Sequence, residues 1–338
     1  MADAPYLNCF VPKTVEREKE EESIYKRYEE IMSTLPREKG WWTEHLYLHQ
    51  GFWYPSIYLP GVMAVQNQYQ AHFSDILLAT GPKCGTTWLK ALVFAVVNRK
   101  LYPSAQQHPL HSFNPHQLVP RLEQTLYLNK IPELDILPSP RLLGIHMPYS
   151  SLPQSVLDSG CRVIYICRNP KDTFVSMWHF MNKIRAKVSK APLPLEEAFE
   201  MFCKGASSFG PFWDHALEYW KASLDRPQCV LFLKYEEMKA EPAIHVKRLA
   251  DFMGCSFSSD EHKEGLVEEV IRLCSFENLS NLDVNKTGSN PHGVVDFQAF
   301  FRKGKVGDST NYLTTTMIEK LDRLTQHKFH GSSLTLSS

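Results

Sequence analysis

A short apolar run that passes directly into a glycine-containing loop and a helix-like pattern constrains the fold of this chain most. Residues 76–79 are apolar, Gly81 and Pro82 break the run, and residues 88–96 repeat apolar side chains at the spacing of an α-helix. We therefore predict a strand, a tight loop and a helix in direct succession.

The loop between that strand and helix has the composition of an anion site. Lys83 supplies a cation, Gly85 lets the backbone turn, and Thr86 and Thr87 stand where a helix is capped. Free amides at a helix start favour an anion, so we predict a phosphate cradle. The lysine precedes the glycine, whereas in G-x-x-x-x-G-K-[ST] it follows it, which disfavours a magnesium-dependent NTPase. An ordinary strand, turn and helix with a solvated lysine is the alternative.

Charge and cysteine content limit the partners that the chain can have. Lysine plus arginine equals aspartate plus glutamate at 37 each among 338 residues, so no overall charge attracts nucleic acid or an anionic membrane. No window approaches ~18 uninterrupted apolar residues, and the first residues lack a secretory signal pattern. The eight cysteines include no C-x-x-C pair, which favours reduced thiols and no metal. We expect a cytoplasmic protein with a local anion site.

Apolar runs that alternate with helical patterns predict the architecture. The runs lie at residues 76–79, 141–146, 161–167 and 229–235. Helical patterns occupy residues 14–35, 88–96, 195–224, 241–254, 264–274 and 315–328, and one more begins at Pro170. This order indicates an α/β fold with a central parallel β-sheet flanked by helices. One domain over residues 1–338 is the simplest organisation, with an N-terminal helix and aromatic cap (1–64) and a core (65–330).

Two segments without a clear pattern have open roles. Residues 40–55 are dense in large aromatic side chains, among them Trp41, Trp42, Phe52, Trp53 and Tyr54. Such density indicates either a packed cap or the wall of an apolar ligand pocket, and packing is the favoured interpretation. Residues 101–140 are rich in proline, histidine and asparagine, so we expect a functional loop or lid and no core element there.

Five motifs, taken in order, resemble the cytosolic sulfotransferase family. They are Pro82-Lys-Cys-Gly-Thr-Thr-Trp, His146-Met-Pro-Tyr, Tyr165-Ile-Cys-Arg-Asn-Pro-Lys-Asp, Phe174-Val-Ser-Met and Arg302-Lys-Gly-Lys-Val-Gly-Asp. Phe52-Trp-Tyr-Pro, Asn114-Pro-His-Gln-Leu-Val-Pro and Gly210-Pro-Phe-Trp-Asp-His are similar to the plant branch. The resemblance runs from about residue 65 to residue 330. It implies a P-loop-like nucleotide-binding fold that transfers a sulfuryl group from 3′-phosphoadenosine 5′-phosphosulfate (PAPS) to a hydroxyl group of a small molecule, without a metal.

The same resemblance implies a role for each motif. His146 is the implied general base, and Lys83 would neutralise charge on the leaving phosphate oxygen. The implied contacts on the 5′-phosphate side are Lys83, Cys84, Gly85, Thr86 and Thr87. The implied contacts of the 3′-phosphate are Arg168, Ser176, Arg302, Lys303 and Gly304, and those of the adenine are Trp88, Tyr235, Ser275 and Phe276. Two separated anion sites suit a nucleotide with phosphates at both ends of its adenosine.

The acceptor site is expected to be an aromatic slot near His146. By position in the family, its candidate walls are Trp53, Tyr54, Phe113, His116, Tyr149 and Met181. Such a slot suits a flat, partly apolar alcohol or phenol, and a phenolic or flavonoid acceptor is favoured. A steroid, a hydroxylated jasmonate and a desulfo-glucosinolate remain alternatives.

Four positions depart from the family pattern. Gly81 replaces an aromatic residue, Gly144 replaces a polar or basic residue that some animal members carry, and Ser309 and Thr310 replace a tryptophan and a lysine. Only Thr314 and Glu319 remain of the animal dimer motif, so a monomer is favoured over a dimer. A P-loop kinase, a non-catalytic binder of adenosine bisphosphates and a membrane-bound Golgi sulfotransferase are the rival interpretations.

Overall fold

A computed structural model describes residues 9–103, 105–128, 130–289 and 295–336. Residues 1–8, on which the expected lack of a secretory signal partly rests, lie outside the described residues, as do residues 290–294 of the polar segment before Arg302. In the described ranges, no helix has the length and apolar character needed to cross a bilayer.

Seven strands and fifteen α-helices make up the described chain, together with short 3₁₀ and π turns. The strands are β1 Arg37–Lys39, β2 His45–His49, β3 Phe52–Pro55, β4 Ile76–Thr80, β5 Leu142–Ile145, β6 Arg162–Cys167 and β7 Val230–Lys234. The helices are α1 Val15–Ser33, α2 Leu59–Gln68, α3 Thr86–Asn98, α4 Pro115–Leu118, α5 Gln154–Ser159, α6 Pro170–Lys187, α7 Leu195–Cys203, α8 Phe212–Asp225, α9 Tyr235–Ala240, α10 Pro242–Phe252, α11 Ser259–Lys263, α12 Leu266–Leu273, α13 Phe276–Asn281, α14 Asp283–Thr287 and α15 Thr315–Phe329.

The four apolar runs form one parallel sheet in the order β5-β4-β6-β7. Alternate residues of β4 and β6 enter two different hydrophobic clusters: Leu77 and Tyr165 belong to one face, and Leu78 and Ile164 to the other. Because both faces are covered, every residue of β4 is buried, which explains its unbroken apolar sequence. The α/β fold is as predicted, and its strand ends point toward one edge where a ligand can bind.

The aromatic segment near the N-terminus is packed, as the favoured interpretation predicted. Strands β1, β2 and β3 form an antiparallel sheet that the sequence analysis did not predict. Tyr54 and Trp41 are almost fully buried, and Trp41 Nε1 donates to the carbonyl oxygen of Ala206 at 2.8 Å. The preceding helix α1 is mostly exposed, but Tyr25 is buried and donates to the carbonyl oxygen of Tyr127 at 2.7 Å.

The expectation that residues 101–140 contribute no core element was wrong. Leu110, Leu122 and Leu126 are buried, and residues 122–126 form a π turn against α2. The many prolines, histidines and asparagines of this segment led the sequence analysis to treat it as a loop, although Leu118, Leu122 and Leu126 are four residues apart. The segment also joins the sheet edge, because Arg121 forms a parallel bridge with Gly144.

Candidate active site

The loop between β4 and α3 has left-handed backbone geometry at two positions. Lys83 has a φ of 70° and Gly85 a φ of 112°, and a Cβ at Gly85 would lie 2.9 Å from the Tyr235 ring. Helix α3 begins at Thr86, so Gly85 is the N-cap and the two threonines belong to the first turn, which corrects the predicted capping role. Within the described residues no side chain caps this helix, so its first amides are available to an anion.

A cavity of about 310 Å³ lies at the carboxyl ends of the strands. Almost every predicted nucleotide contact lines it, although these residues come from distant parts of the chain. They are Lys83, Gly85, Thr86, Thr87, Trp88, Arg168, Ser176, Tyr235, Ser275, Phe276, Arg302, Lys303 and Gly304. Cys84 does not line the cavity: its amide donates to Gly81 O at 3.3 Å, and its buried thiol lies 3.7 Å from Thr173 Oγ1.

The predicted nucleotide end of the cavity, lined by Lys83, Arg168 and Arg302, holds an excess of positive charge. The ammonium group of Lys83 lies 4.0 Å from the centroid of the Phe180 ring. Burial, together with the nearby charges of Arg168, Lys183 and Arg302, lowers the pKa of Lys83 to about 7. A cation whose pKa is depressed by other cations indicates a place where an anion is stabilised.

Two arginines at this end have donors left without a partner. Arg168 Nη2 donates to Asp172 Oδ2 at 3.0 Å and to the Lys305 carbonyl oxygen at 2.7 Å, while Arg302 pairs with Asp308. The Nε atoms of both arginines are buried and have no hydrogen-bond partner among the described residues. Buried unpaired donors are costly, so both guanidinium groups fit a phosphate.

Asp172 connects two parts of the phosphate site. Besides Arg168, its carboxylate accepts from the amide of Gly307 at 2.8 Å and from the amide of Ser309 at 2.9 Å. Ser309 is buried and donates this hydrogen bond through its backbone amide. The segment that carries Arg302 is held against the start of α6 by this carboxylate.

Aromatic rings border the site where an adenine is expected. Trp88 and Tyr235 meet edge to face with centroids 5.5 Å apart, and Phe276 lies 6.2 Å from Phe301. Arg168 lies over the Tyr235 ring at 4.7 Å. A planar base can stack among these rings, since aromatic faces favour stacking without a need for hydrogen bonds.

Substitution of Gly304 is expected to weaken nucleotide binding. Gly304 has a φ of 62°, and a Cβ there would lie 2.4 Å from the Phe276 ring. Gly304→Ala should therefore lower the affinity for adenosine 3′,5′-bisphosphate (PAP) by about 10-fold or more, measured by titration calorimetry.

Gly331→Ala is the matched control for that substitution. Its φ of 77° carries the same backbone strain, but no atom lies within 4 Å of its Cβ position. Equal PAP affinity of Gly304→Ala and Gly331→Ala would contradict a role for the Gly304 contact in nucleotide binding.

His146 follows β5 and presents one nitrogen to the cavity. Its Nδ1 lies 2.6 Å from the carbonyl oxygen of Thr80 and 3.0 Å from the Thr80 hydroxyl. Because a carbonyl oxygen only accepts, Nδ1 carries the proton and Nε2 keeps its lone pair. His215 Nε2 donates to the His146 carbonyl oxygen at 2.9 Å and fixes the backbone. The Thr80 hydroxyl also lies 2.8 Å from Thr86 Oγ1, which connects the base to the phosphate loop.

The electrostatic surroundings keep His146 neutral. Burial lowers the pKa of His146 well below its usual value, and the charges of Arg121 and Lys90 lower it further. The buried carboxyl of Glu123 accepts from the His146 amide at 3.1 Å, and burial raises the pKa of that carboxyl. A neutral imidazole with a free Nε2 can take a proton from an acceptor hydroxyl.

The sequence analysis missed three charged residues next to His146. Lys90, Arg121 and Glu123 surround the base, and Lys90 and Arg121 line the cavity. One signal was present in the sequence: Lys90 lies three residues after Thr87 on α3, so both share a helix face. The other two residues belong to the segment that was expected to form a lid.

The predicted acceptor walls are only partly brought together. His116 and Met181 line the cavity, whereas Trp53, Tyr54, Phe113 and Tyr149 do not. Tyr54 is buried with its hydroxyl 3.1 Å from Ser151 Oγ, and Tyr149 packs edge to face on Tyr219. Trp53 pairs with Gly210, and Phe113 packs between the two core clusters. The cavity wall near His146 instead includes Trp42, Tyr58, Gln124, Ile184 and Phe209.

No group of three or more histidine, cysteine, aspartate or glutamate side chains in the described ranges has the arrangement of a metal site. The charged side chains that line the cavity are lysines and arginines: Lys83, Lys90, Lys239, Lys303, Arg121, Arg168 and Arg302. These groups can balance negative charge that develops during a group transfer.

Comparison with known proteins gives consistent matches over most of the chain. The family model described as "Sulfotransferase domain" matches residues 73–333. Cytosolic sulfotransferase 12 of Arabidopsis thaliana is 46% identical over 320 residues, which cover 94% of this chain and 96% of the relative. The flavonol sulfotransferase-like protein of Flaveria bidentis is 46% identical over 312 residues, covering 91% of this chain and 99% of the relative.

Two solved structures have the same fold. A candidate steroid sulphotransferase of Arabidopsis thaliana is 40% identical with a TM-score of 0.73. The match covers 97% of this chain and 100% of the Arabidopsis chain. Mouse sulfotransferase SULT7A1, solved in complex with PAP, is 26% identical with a TM-score of 0.66. The match covers 85% of this chain and 95% of the mouse chain.

Proposed function

The chain belongs to the sulfotransferase family, and we propose that it transfers the sulfuryl group of PAPS to the hydroxyl group of a flat, partly apolar acceptor such as a phenol or flavonoid. Membership of this family decides against the P-loop kinase alternative. We also propose a cytosolic location, since several relatives are named cytosolic sulfotransferases.

The observation that carries the proposal is the meeting of an unpaired cationic site and a neutral base in one cavity. Arg168 and Arg302 each offer a buried Nε donor, Lys83 adds a cation, and His146 offers a free Nε2. A nucleotide with two phosphate groups satisfies the donors, and a hydroxyl group satisfies the base. The proposed PAPS dependence rests on this fit and on the PAP complex of the mouse relative.

Each residue of the site has one task in the proposed reaction. When bound, PAPS supplies the sulfuryl group. Arg168 and Arg302 hold a phosphate through their unpaired Nε donors, and Lys83 offsets negative charge at the phosphate loop. His146 accepts the hydroxyl proton at Nε2 while Thr80 holds Nδ1 in the required tautomer. The surrounding aromatic side chains exclude water from the reacting groups.

Labelled-sulfate transfer from PAPS tests the proposal. The panel contains simple phenols, flavonols, steroids and hydroxy acids, and the reaction is run with a chelator and no added metal. We expect transfer to at least the phenols or flavonols. Absence of transfer with a PAP-dependent rise in melting temperature would indicate either an acceptor outside the panel or a non-catalytic binder, and absence of both would contradict the proposal.

A further inference from the structure

A second pair of cations lies apart from the nucleotide end of the cavity. Lys90 is fully buried; its ammonium donates to the Val119 carbonyl oxygen at 2.7 Å and lies 3.3 Å from His116 Nδ1. Burial and the charge of Arg121 lower the pKa of Lys90. Arg168 and Arg302 instead lower the pKa of Lys83, so the pair Lys90 and Arg121 is distinct from the cations at the nucleotide end. His116 lies between them, because its Nε2 is 2.9 Å from Thr87 Oγ1.

Gly144 creates the space for this pair. A Cβ at Gly144 would lie 2.8 Å from Lys90 Cε and 3.3 Å from Arg121 Cγ. Arg121 pairs with Gly144 along the edge of β5, and the Gly144 amide donates to Pro120 O at 2.7 Å. Since Gly144 and His146 are two residues apart on one extended segment, their side-chain directions share a face. The two cations therefore lie on the same side of the strand as the base.

The side chain of Arg121 has no hydrogen bond or ion pair among the described residues. Its guanidinium group lies 6.0 Å from the centroid of the Tyr58 ring. Burial lowers the pKa of Arg121 and the negative charge of the Glu123 carboxyl opposes that shift, but the two side chains are not at ion-pair distance. Glu123 uses one oxygen to accept from the His146 amide and keeps the other, buried Oε2 unpartnered. Arg121 thus offers its donors to the cavity, which it lines together with Gln124.

The geometry points to an acceptor that carries a carboxylate as well as the reacting hydroxyl group. This inference rests on the proposed function and specifies its substrate class. The planar fork of Arg121 binds a carboxylate through two parallel hydrogen bonds, and the side chain of Lys90 lies beside it at Gly144. Trp42, Phe209 and Ile184 line the same cavity with apolar surface. The acceptor is a hydroxylated carboxylic acid with an apolar or aromatic body.

Paired acceptors that differ only in charge test the inference. The pairs are hydroxyphenylpropanoate and hydroxydodecanoate, each as the free acid and as the methyl ester, with an uncharged simple phenol as a further acceptor. We expect the free acid of at least one pair to have the higher kcat/KM. In Arg121→Met, the ratio of kcat/KM for that acid to kcat/KM for its ester should fall by about 10- to 100-fold, mainly through the KM of the acid.

Two variants control the experiment. Arg121→Lys keeps the charge without the fork and should recover part of the preference for the acid. Arg323→Met removes an exposed arginine on α15 and should leave kcat/KM for both the acid and the ester unchanged. The guanidinium group of Arg121 has no hydrogen-bond partner among the described residues, and Arg121→Met should keep the PAP-dependent rise in melting temperature, which shows that the variant is folded and binds the nucleotide.

The outcomes separate the inference from the proposed function. Transfer to the simple phenol with no preference for either acid would overturn the inference alone. An equal loss on acid and ester in Arg121→Met would also overturn it, because the arginine would then act on the transferred group. Failure of transfer to every acceptor would reject the proposed function and the inference with it.

Discussion

His146→Ala is expected to lower kcat for sulfuryl transfer by about 100- to 10,000-fold without a comparable loss of PAP affinity. The substitution removes the nitrogen that takes the hydroxyl proton, whereas the unpaired donors of Arg168 and Arg302 remain. Steady-state kinetics and PAP titration measure the two effects. His330→Ala, at an exposed position after α15, is the control and should behave as the wild type. Loss of PAP binding in His146→Ala would indicate a structural role instead.

The pH dependence provides a second test of His146. Only the neutral imidazole accepts a proton, and burial with Arg121 and Lys90 lowers the pKa of His146 well below 6.5. As pH falls through 6.5, His146 in the free enzyme therefore stays neutral, and kcat/KM for PAPS should decline only at lower pH. An acid limb of kcat/KM at or above pH 6.5 that disappears in His146→Ala would contradict this assignment of charge.

Lys83→Met should reduce kcat by about 100- to 1,000-fold, because it removes a cation that offsets charge on the leaving phosphate. It should also change the protons taken up on PAP binding. The pKa of Lys83 is about 7 in the free protein, and an adjacent phosphate raises it. At pH 7.5, wild-type protein should take up as much as about one proton per PAP, and its PAP affinity should fall as pH rises above 7.

Calorimetric titration in buffers of different ionisation enthalpy measures that proton uptake. Lys83→Met should abolish the proton uptake that Lys83 contributes on PAP binding. Lys204→Met, which replaces an exposed lysine, should leave the proton uptake unchanged. A binding enthalpy of the wild type that is the same in all buffers would show that Lys83 does not gain a proton with PAP.

Local sequence pattern predicted the parallel sheet and the loop with Lys83 and Gly85, because an apolar run and a glycine mark the end of β4 and the start of α3. The other residues predicted around the nucleotide end, such as Arg168 after β6, were implied by the family resemblance of their motifs and not by the pattern. The acceptor end was predicted poorly because its walls depend on packing between distant segments. Tyr54 lies in an aromatic stretch that suits a pocket, yet its ring is buried against Phe209.

The residues missed beside His146 have a related physical cause. Lys90 has an ordinary sequence context on α3, and only the absence of a side chain at Gly144 allows it to reach the strand. Arg121 and Glu123 lie in a segment whose 3₁₀ and π turns have no simple repeat. Without a regular repeat, the sequence does not indicate whether a charged side chain in this segment points toward the cavity or toward solvent.

The contact between Gly144 and Lys90 makes these two positions interdependent in evolution. A larger residue at position 144 would displace the end of the Lys90 side chain, whose ammonium donates to Val119 and lies near His116. A basic residue two positions before the base would therefore compete with Lys90 for the same space. Substitutions at the two positions should be epistatic with each other.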